Sequence, residues 1–218
     1  MSFLIFGHRG SPRRFPENTV ASFEEALRAG ADGFETDLRL LADRTAVLFH
    51  DHEIGEAEVE TLSRADVPGD LVDALAPFAG RCTMVLEVKR SRWEDELLRH
   101  IGTWPDIVVA SFDHRLIAEL SRRKVPFPLG LTYTGAIVGL PDYAIRLGAT
   151  WIFPNNHWLD EDEVRGLHAA GMKVVPWTPN LPREWARLRD IGCDGIITDL
   201  PAEAVAWRAE GGGQKEEG

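Results

Sequence analysis

Eight short runs of apolar and β-branched residues, separated by amphipathic stretches, follow one another along the chain. The runs are Phe3 to Phe6, Gly33 to Leu38, Thr83 to Val88, Ile107 to Ser111, Pro128 to Thr132, Trp151 to Phe153, Lys173 to Trp177 and Gly195 to Thr198. The stretches between them, such as "NTVASFEEALRAG", "LVDALAPFAG" and "LPREWARLRDIG", often start at Asp or Pro and stop at Gly, as helices do. Runs that stay apolar without alternating read as strands covered on both faces, and strand–helix repetition builds a parallel sheet. Eight such units in 218 residues predict a TIM (β/α)8 barrel, with an open doubly wound sheet as the other arrangement the pattern allows. No linker interrupts the series, so residues 1–210 are expected to form one domain and "GGGQKEEG" (211–218) a disordered tail.

One segment departs from the alternation. After Leu38, "RLLADRTAVLFHD" reads as a turn near Asp43 and a second strand, Thr45 to Phe49. Strands joined so tightly are antiparallel, because a parallel partner needs a long crossover. A β-hairpin extension after the second strand is therefore expected. The acidic segment that follows, "HEIGEAEVETLSRADVPGD", lacks a clean period and is expected to be a loop over the barrel mouth.

In a TIM barrel the reactive groups lie at the C-terminal ends of the strands. Those ends carry His8, Arg9, Glu35, Asp37, His50, Asp51, Glu87, Lys89, Ser111, Trp177 and Asp199. Glu35 and Asp37 in "FETDL" are two apart on a strand, so both face one side about 6.6 Å apart. Glu87 and Lys89 in "LEVKR" repeat the spacing on the next unit. Three carboxylates brought to one small volume demand a cation or protons. An all-oxygen donor set favours a hard ion, Mg²⁺ or Ca²⁺.

The hairpin returns His50 level with Thr36, beside that volume, provided its register turns the ring to the side of Glu35 and Asp37. His8 and His50, arriving from separate segments, can then act as general acid and general base. Arg9 and Lys89 supply fixed positive charge for a phosphoryl group, with Glu17 placed to orient Arg9. Trp177 offers an apolar wall for a small carbon moiety.

These motifs, "GHRG…PENT", "ETDLRL", "VLFHD", "LEVK", "ASFD", "PWTPN" and "DGIITDLP", resemble those of the glycerophosphodiester phosphodiesterase family in kind and order, from His8 to Pro201. The resemblance implies a TIM barrel that uses a divalent metal to hydrolyse glycerophosphodiesters to sn-glycerol 3-phosphate and an alcohol. It implies Glu35, Asp37 and Glu87 as metal ligands and His8 and His50 as the acid–base pair. Arg9 and Lys89 correspond to phosphate contacts and Trp177 to the glycerol pocket. In the mechanism drawn for such enzymes the glycerol 2-hydroxyl attacks phosphorus, and water then opens the cyclic phosphate. The chain departs from the family after "HD", where "HEIGEAEVETL" replaces the usual Leu and "RTT" and the covering insertion is shortened.

A net charge of −11 disfavours nucleic acid as a partner, while a local basic site still admits a small anionic substrate. No run reaches the ~18 apolar residues of a membrane span, so no stable membrane insertion is expected. The apolar run before Gly7 is too short for a signal peptide, and two isolated cysteines, Cys82 and Cys193, read as buried thiols. Both point to a cytoplasmic protein. Two further readings share the fold: a lysophospholipase D acting on lysolipids, and a barrel that binds glycerol phosphates without turning them over.

Overall fold

The computed structural model describes residues 2–212. Its barrel strands are β1 (Leu4–Gly7), β2 (Gly33–Leu40), β6 (Thr83–Val88), β7 (Ile107–Ser111), β8 (Leu129–Tyr133), β9 (Trp151–Pro154), β10 (Lys173–Val174) and β11 (Gly195–Thr198). All are parallel and pair in the order β10-β9-β8-β7-β6-β2-β1-β11. A Trp177–Ile197 bridge and the bonds Asp194 N–H to Val174 O and Ile197 N–H to Pro176 O join β10 to β11 and close the ring. β10 is short because Pro176 has no N–H to donate to a ladder.

Among the described residues, seven α-helices return the chain: α1 (Val20–Arg28), α2 (Glu94–Ile101), α3 (His114–Arg122), α4 (Leu140–Arg146), α5 (Glu161–Ala169), α6 (Pro182–Asp190) and α7 (Pro201–Trp207). "LVDALAPFAG", read as a helix from its pattern, is instead a 3-10 segment over Val72–Phe78. Pro77 sits inside it and cannot support the α-helical ladder. The tail expected over 211–218 lies outside the described residues from 213 onward, while Gly211 and Gly212 belong to a closing turn held by Arg189 on the Gly212 carbonyl.

Inside the barrel Phe6, Val85, Val108, Ala110, Trp151, Phe153, Val175 and Ile197 form one cluster, and the apolar faces of the helices pack around the outside of the ring. The Phe153 ring fills the barrel against Gly130: a Cβ on that glycine would lie 2.5 Å from it. Phe23 of α1 stacks on Phe34 of β2 with centroids 4.2 Å apart, and Phe78 meets both rings edge-on. Aromatic pairs of this kind contribute about 0.5–1.5 kcal/mol each beyond burial. They fix α1, and with it the loop that precedes it, against β2.

The hairpin strand β3 (Ala46–Leu48) runs antiparallel to β2 in the register Leu38 to Leu48. The acidic segment beyond it contains the small ladder β4 (Glu53–Ile54) and β5 (Ala57–Glu58). It has its own apolar anchor, Val59 and Val67 packed on Leu41 and Val47. No helix among the described residues is long and apolar enough to cross a membrane.

Candidate active site

A pocket of about 410 Å³ opens at the C-terminal end of the strands. One side is ionic, lined by His8, Arg9, Glu35, Asp37, His50, Glu87 and Lys89; the other is apolar, with Phe112, Phe153 and Trp177 among its residues. A larger, shallower cleft of about 660 Å³ adjoins it through Lys89 and Phe112, but neither the three acids nor His8 and His50 line that cleft.

The acids converge as their spacing requires. In the β2–β6 register Asp37 stands opposite Glu87, and oxygen atoms of Glu35, Asp37 and Glu87 lie within 4.8 Å of one another. All three side chains are buried. Burial, with Asp37 and Glu87 adding repulsion, pushes the Glu35 carboxyl up to about 8. Asp37 ends near 2: burial opposes its ionisation, but Lys89 and Arg9 hold the charge. Lys89 Nζ lies 2.6 Å from Asp37 Oδ1 and also contacts Glu87. The donor set is oxygen-only, buried and over-charged for its volume, which fits a divalent cation held by these three residues.

The loop after β1 supplies the rest. Arg9 adopts φ 50°, with Gly10 at φ 89° beside it, where a Cβ would meet Ser22 Oγ at 2.5 Å. That tight turn directs the Arg9 backbone N–H to Glu35 Oε2 at 3.0 Å, while the guanidinium takes both Glu17 oxygens and approaches Asp37 at 3.3 Å. Glu17 thus holds Arg9, as expected. The next residue of "PENT" has a role that the sequence reading passed over. Asn18 donates to Asp37 Oδ2 at 2.8 Å and accepts from Thr36 Oγ1 and the Asp37 N–H. Thr19 is the helix cap, accepting from the Ser22 N–H.

Both histidines are tethered by a carboxylate. His8 Nδ1 bonds Asp199 Oδ1 at 2.7 Å, and His50 Nδ1 bonds Asp51 Oδ1 at 2.8 Å. Each therefore has Nε2 free; that of His8 is 3.9 Å from Glu35 Oε2. Burial lowers the His8 pKa, but the Asp199 hydrogen bond and the Glu35 charge outweigh it and the net direction is upward. For His50 burial prevails and the net direction is downward, with Asp37 opposing and Lys89 reinforcing it. Asp199 and Asp51 are visible in the sequence as strand-end acids, but nothing there shows which ring they hold.

His50 reaches the pocket by leaving its ladder. The Phe49 N–H bonds the Asp37 carbonyl at 3.0 Å, so the register sets His50 level with Thr36, as expected. Continued alternation would aim its ring with Thr36 and Leu48, away from Asp37. β3 instead ends at Leu48, and His50 lines the pocket with its side chain about one-third exposed.

Trp177 is anchored by its indole N–H on the Phe153 carbonyl at 3.0 Å and packs edge-on against Phe112 at 5.7 Å. Thr132, at the inward-facing end of β8, lines the same wall with a buried hydroxyl that has no hydrogen-bond partner. Its place in an apolar run gave no signal in the sequence.

Three comparisons with known proteins bear on the chain. The profile of the "Glycerophosphoryl diester phosphodiesterase family" matches residues 8–69 and 75–203. The chain belongs to this family of phosphoric diester hydrolases. Among curated relatives, a glycerophosphodiester phosphodiesterase of Caldanaerobacter subterraneus is 26% identical, covering 97% of this chain and 100% of its own length. One from Bacillus altitudinis is 28% identical over 94% of this chain and 98% of that protein. Among solved structures, an Oleispira antarctica phosphodiesterase in complex with the product sn-glycerol-3-phosphate superposes with a TM-score of 0.85 at 20% identity, over 96% of this chain and 97% of that one. A Galdieria sulphuraria protein described as a glycerophosphodiester phosphodiesterase gives 0.83 at 22% identity, over 95% and 98%. At these identities the superpositions establish the barrel fold.

Proposed function

We propose that this barrel hydrolyses glycerophosphodiesters to sn-glycerol 3-phosphate and an alcohol, using a divalent cation held by Glu35, Asp37 and Glu87. The observation that carries the reading is the crowding of three buried carboxylates beneath two imidazoles with free Nε2 atoms. When bound, the cation supplies Lewis-acid stabilisation of charge on the phosphoryl oxygens.

The chain's own groups do the rest. Arg9 and Lys89 face the pocket with fixed positive charge and stabilise the phosphoryl oxygens as negative charge builds. His8 and His50 divide the proton transfers: one Nε2 removes the proton of the attacking hydroxyl, and the other protonates the departing alcohol. For the return step, with water as nucleophile, the two exchange roles. Asp199 and Asp51 hold the rings through Nδ1, so neither needs to reorient between steps. Trp177 and Phe153 take the carbon skeleton of the glycerol against the apolar wall. The free thiols of Cys82 and Cys193 accord with a cytoplasmic setting.

The test is hydrolysis of glycerophosphocholine with product analysis. Activity should vanish with EDTA and return with Mg²⁺, Ca²⁺ or Mn²⁺, and His8→Ala or His50→Ala should each lower kcat by about 10²–10⁴-fold in folded protein. Full activity after chelation would refute the metal assignment.

One observation favours the lysolipid reading. The exposed side chains of Phe112, Val138, Trp158 and Leu181 lie on the loops that follow four successive strands, β7 to β10, on the catalytic face. A higher kcat/KM for lysophosphatidylcholine than for glycerophosphocholine would establish it.

A further inference from the structure

Arg39 lies on β2 two residues beyond Asp37, and its side chain is completely shielded from solvent. A buried guanidinium must find partners for its N–H groups, or it costs several kcal/mol. All of those found lie on the single segment that carries His50. Nε donates to the Phe49 carbonyl at 3.2 Å, and Nη2 donates to the His50 carbonyl at 2.8 Å and to His52 Nδ1 at 3.1 Å. Nη1 donates to Glu60. The other Glu60 oxygen, Oε2, is buried without any hydrogen-bond partner; the carboxylate's charge is balanced by Arg39 in direct contact and by the half-exposed Arg90, whose Nε lies 3.7 Å from Oε1.

This clasp acts where the chain abandons the β2–β3 ladder. Alternation would turn the His50 ring away from Asp37, and the guanidinium grips the two carbonyls at which the turn away from the ladder occurs. Its remaining partners, His52 and Glu60, come from the shortened acidic segment, none of whose residues from His52 to Asp70 lines the pocket. That segment is tied to the site through Arg39, and at its far end through Asp70, which accepts from the Leu48 N–H at the end of β3 and the Val20 N–H at the start of α1.

We propose that Arg39, charge-balanced by Glu60, is a positioning residue that sets the His50 imidazole over the metal cluster. The inference rests on the acid–base role proposed for His50. Arg39 itself touches no reacting atom; only its planar fork reaches both carbonyls and His52 together, which an ammonium cannot do.

Arg39→Lys keeps a cation against Glu60 and removes the fork. In the metal-loaded enzyme kcat should fall about 10²-fold with KM changed by less than about threefold, the signature of a misplaced catalytic group. In a His50→Ala background the same change should cost less than about twofold, because the group it positions is already gone. In metal-free protein, amide hydrogen exchange across Phe49–His52 should accelerate at least about tenfold while the β6 and β7 amides keep their protection. Should Arg39→Lys unfold under assay conditions, Glu60→Gln replaces it, with the same cancellation expected and a loss of about three- to tenfold. Wild-type kcat in folded Arg39→Lys, an equal loss in the His50→Ala background, or unchanged exchange would each overturn the proposal. A fully active His50→Ala enzyme would instead refute the acid–base reading, and the exchange measurement alone then decides whether Arg39 holds the segment.

Discussion

Cation binding to the acid cluster should expel a proton from Glu35. Burial and the neighbouring charges of Asp37 and Glu87 push that carboxyl up to about 8, against the attraction of His8 and Lys89. A carboxyl titrating there is protonated in about 0.9 of metal-free molecules at pH 7 and about 0.1 at pH 9, and a ligating carboxylate must be ionised. Each ion bound should therefore release about 0.9 proton from Glu35 at pH 7 and about 0.1 at pH 9, so apparent affinity rises with pH across that window. Titration calorimetry in two buffers of different ionisation enthalpy reads the number directly. Glu35→Gln removes this component, and with it the part of the upward His8 shift that Glu35 causes, leaving what His8 and the Glu87 carboxyl, itself raised by burial, still contribute. The sign for stability follows the same logic. A carboxyl raised from 4.5 in the unfolded chain to about 8 costs the metal-free fold increasing free energy as pH climbs between those values. Ion binding that shows no buffer dependence at pH 7, with wild-type affinity retained in Glu35→Gln, would refute the electrostatic account of the cluster.

Other expectations test the supporting residues. Asp199→Asn should lower kcat about 10- to 150-fold, the value of a charge-assisted hydrogen bond of about 1.5–3 kcal/mol, in protein with an unchanged circular dichroism spectrum. Against burial, the His8 hydrogen bond holds the Asp199 carboxyl below its ordinary 3.8. Its stabilisation is present above that value and disappears as pH falls through the lower folded one; acid titrations of wild type and Asp199→Asn should therefore converge at the lowest pH. Phe34→Ala should cost about 3–5 kcal/mol in urea denaturation by dismantling the Phe23–Phe34–Phe78 cluster. Burial pushes Cys82 up to about 11 and Cys193 up to about 12, so neither should react with a thiol reagent at pH 8 while the protein is folded. Thr132→Val should raise KM by about three- to tenfold while slightly raising stability, because it removes a buried hydroxyl without a partner, if that hydroxyl meets the substrate.

Much of this architecture could be read from the chain because it is local. Continuous apolar runs such as "TMVLEV" and "IVVAS" specify buried parallel strands, and each occupies the residues its pattern indicates. The spacing of Glu35, Asp37 and Glu87 fixes one face by the pleat alone, and the observed register brings them together. Val72–Phe78 resisted because an apolar period of helical kind is compatible with 3-10 geometry once Pro77 removes a donor. The pairings of Asp199 with His8 and of Arg39 with the His50 carbonyls join residues by barrel closure and by a departure from a ladder. Neither leaves a trace in spacing. Asn18 lay within a motif already singled out, yet its contacts with Thr36 and Asp37 depend on a left-handed backbone, φ 56°, that no short pattern encodes.

The most direct measurement is anomalous diffraction from a crystal soaked with Mn²⁺ and sn-glycerol 3-phosphate. The metal assignment requires one strong peak within bonding distance of oxygens from Glu35, Asp37 and Glu87, with Lys89 displaced from its present contact between Asp37 and Glu87 and both histidine Nε2 atoms facing the phosphate. A peak bound elsewhere, or a phosphate seated over the three acids with no metal between them, would contradict it.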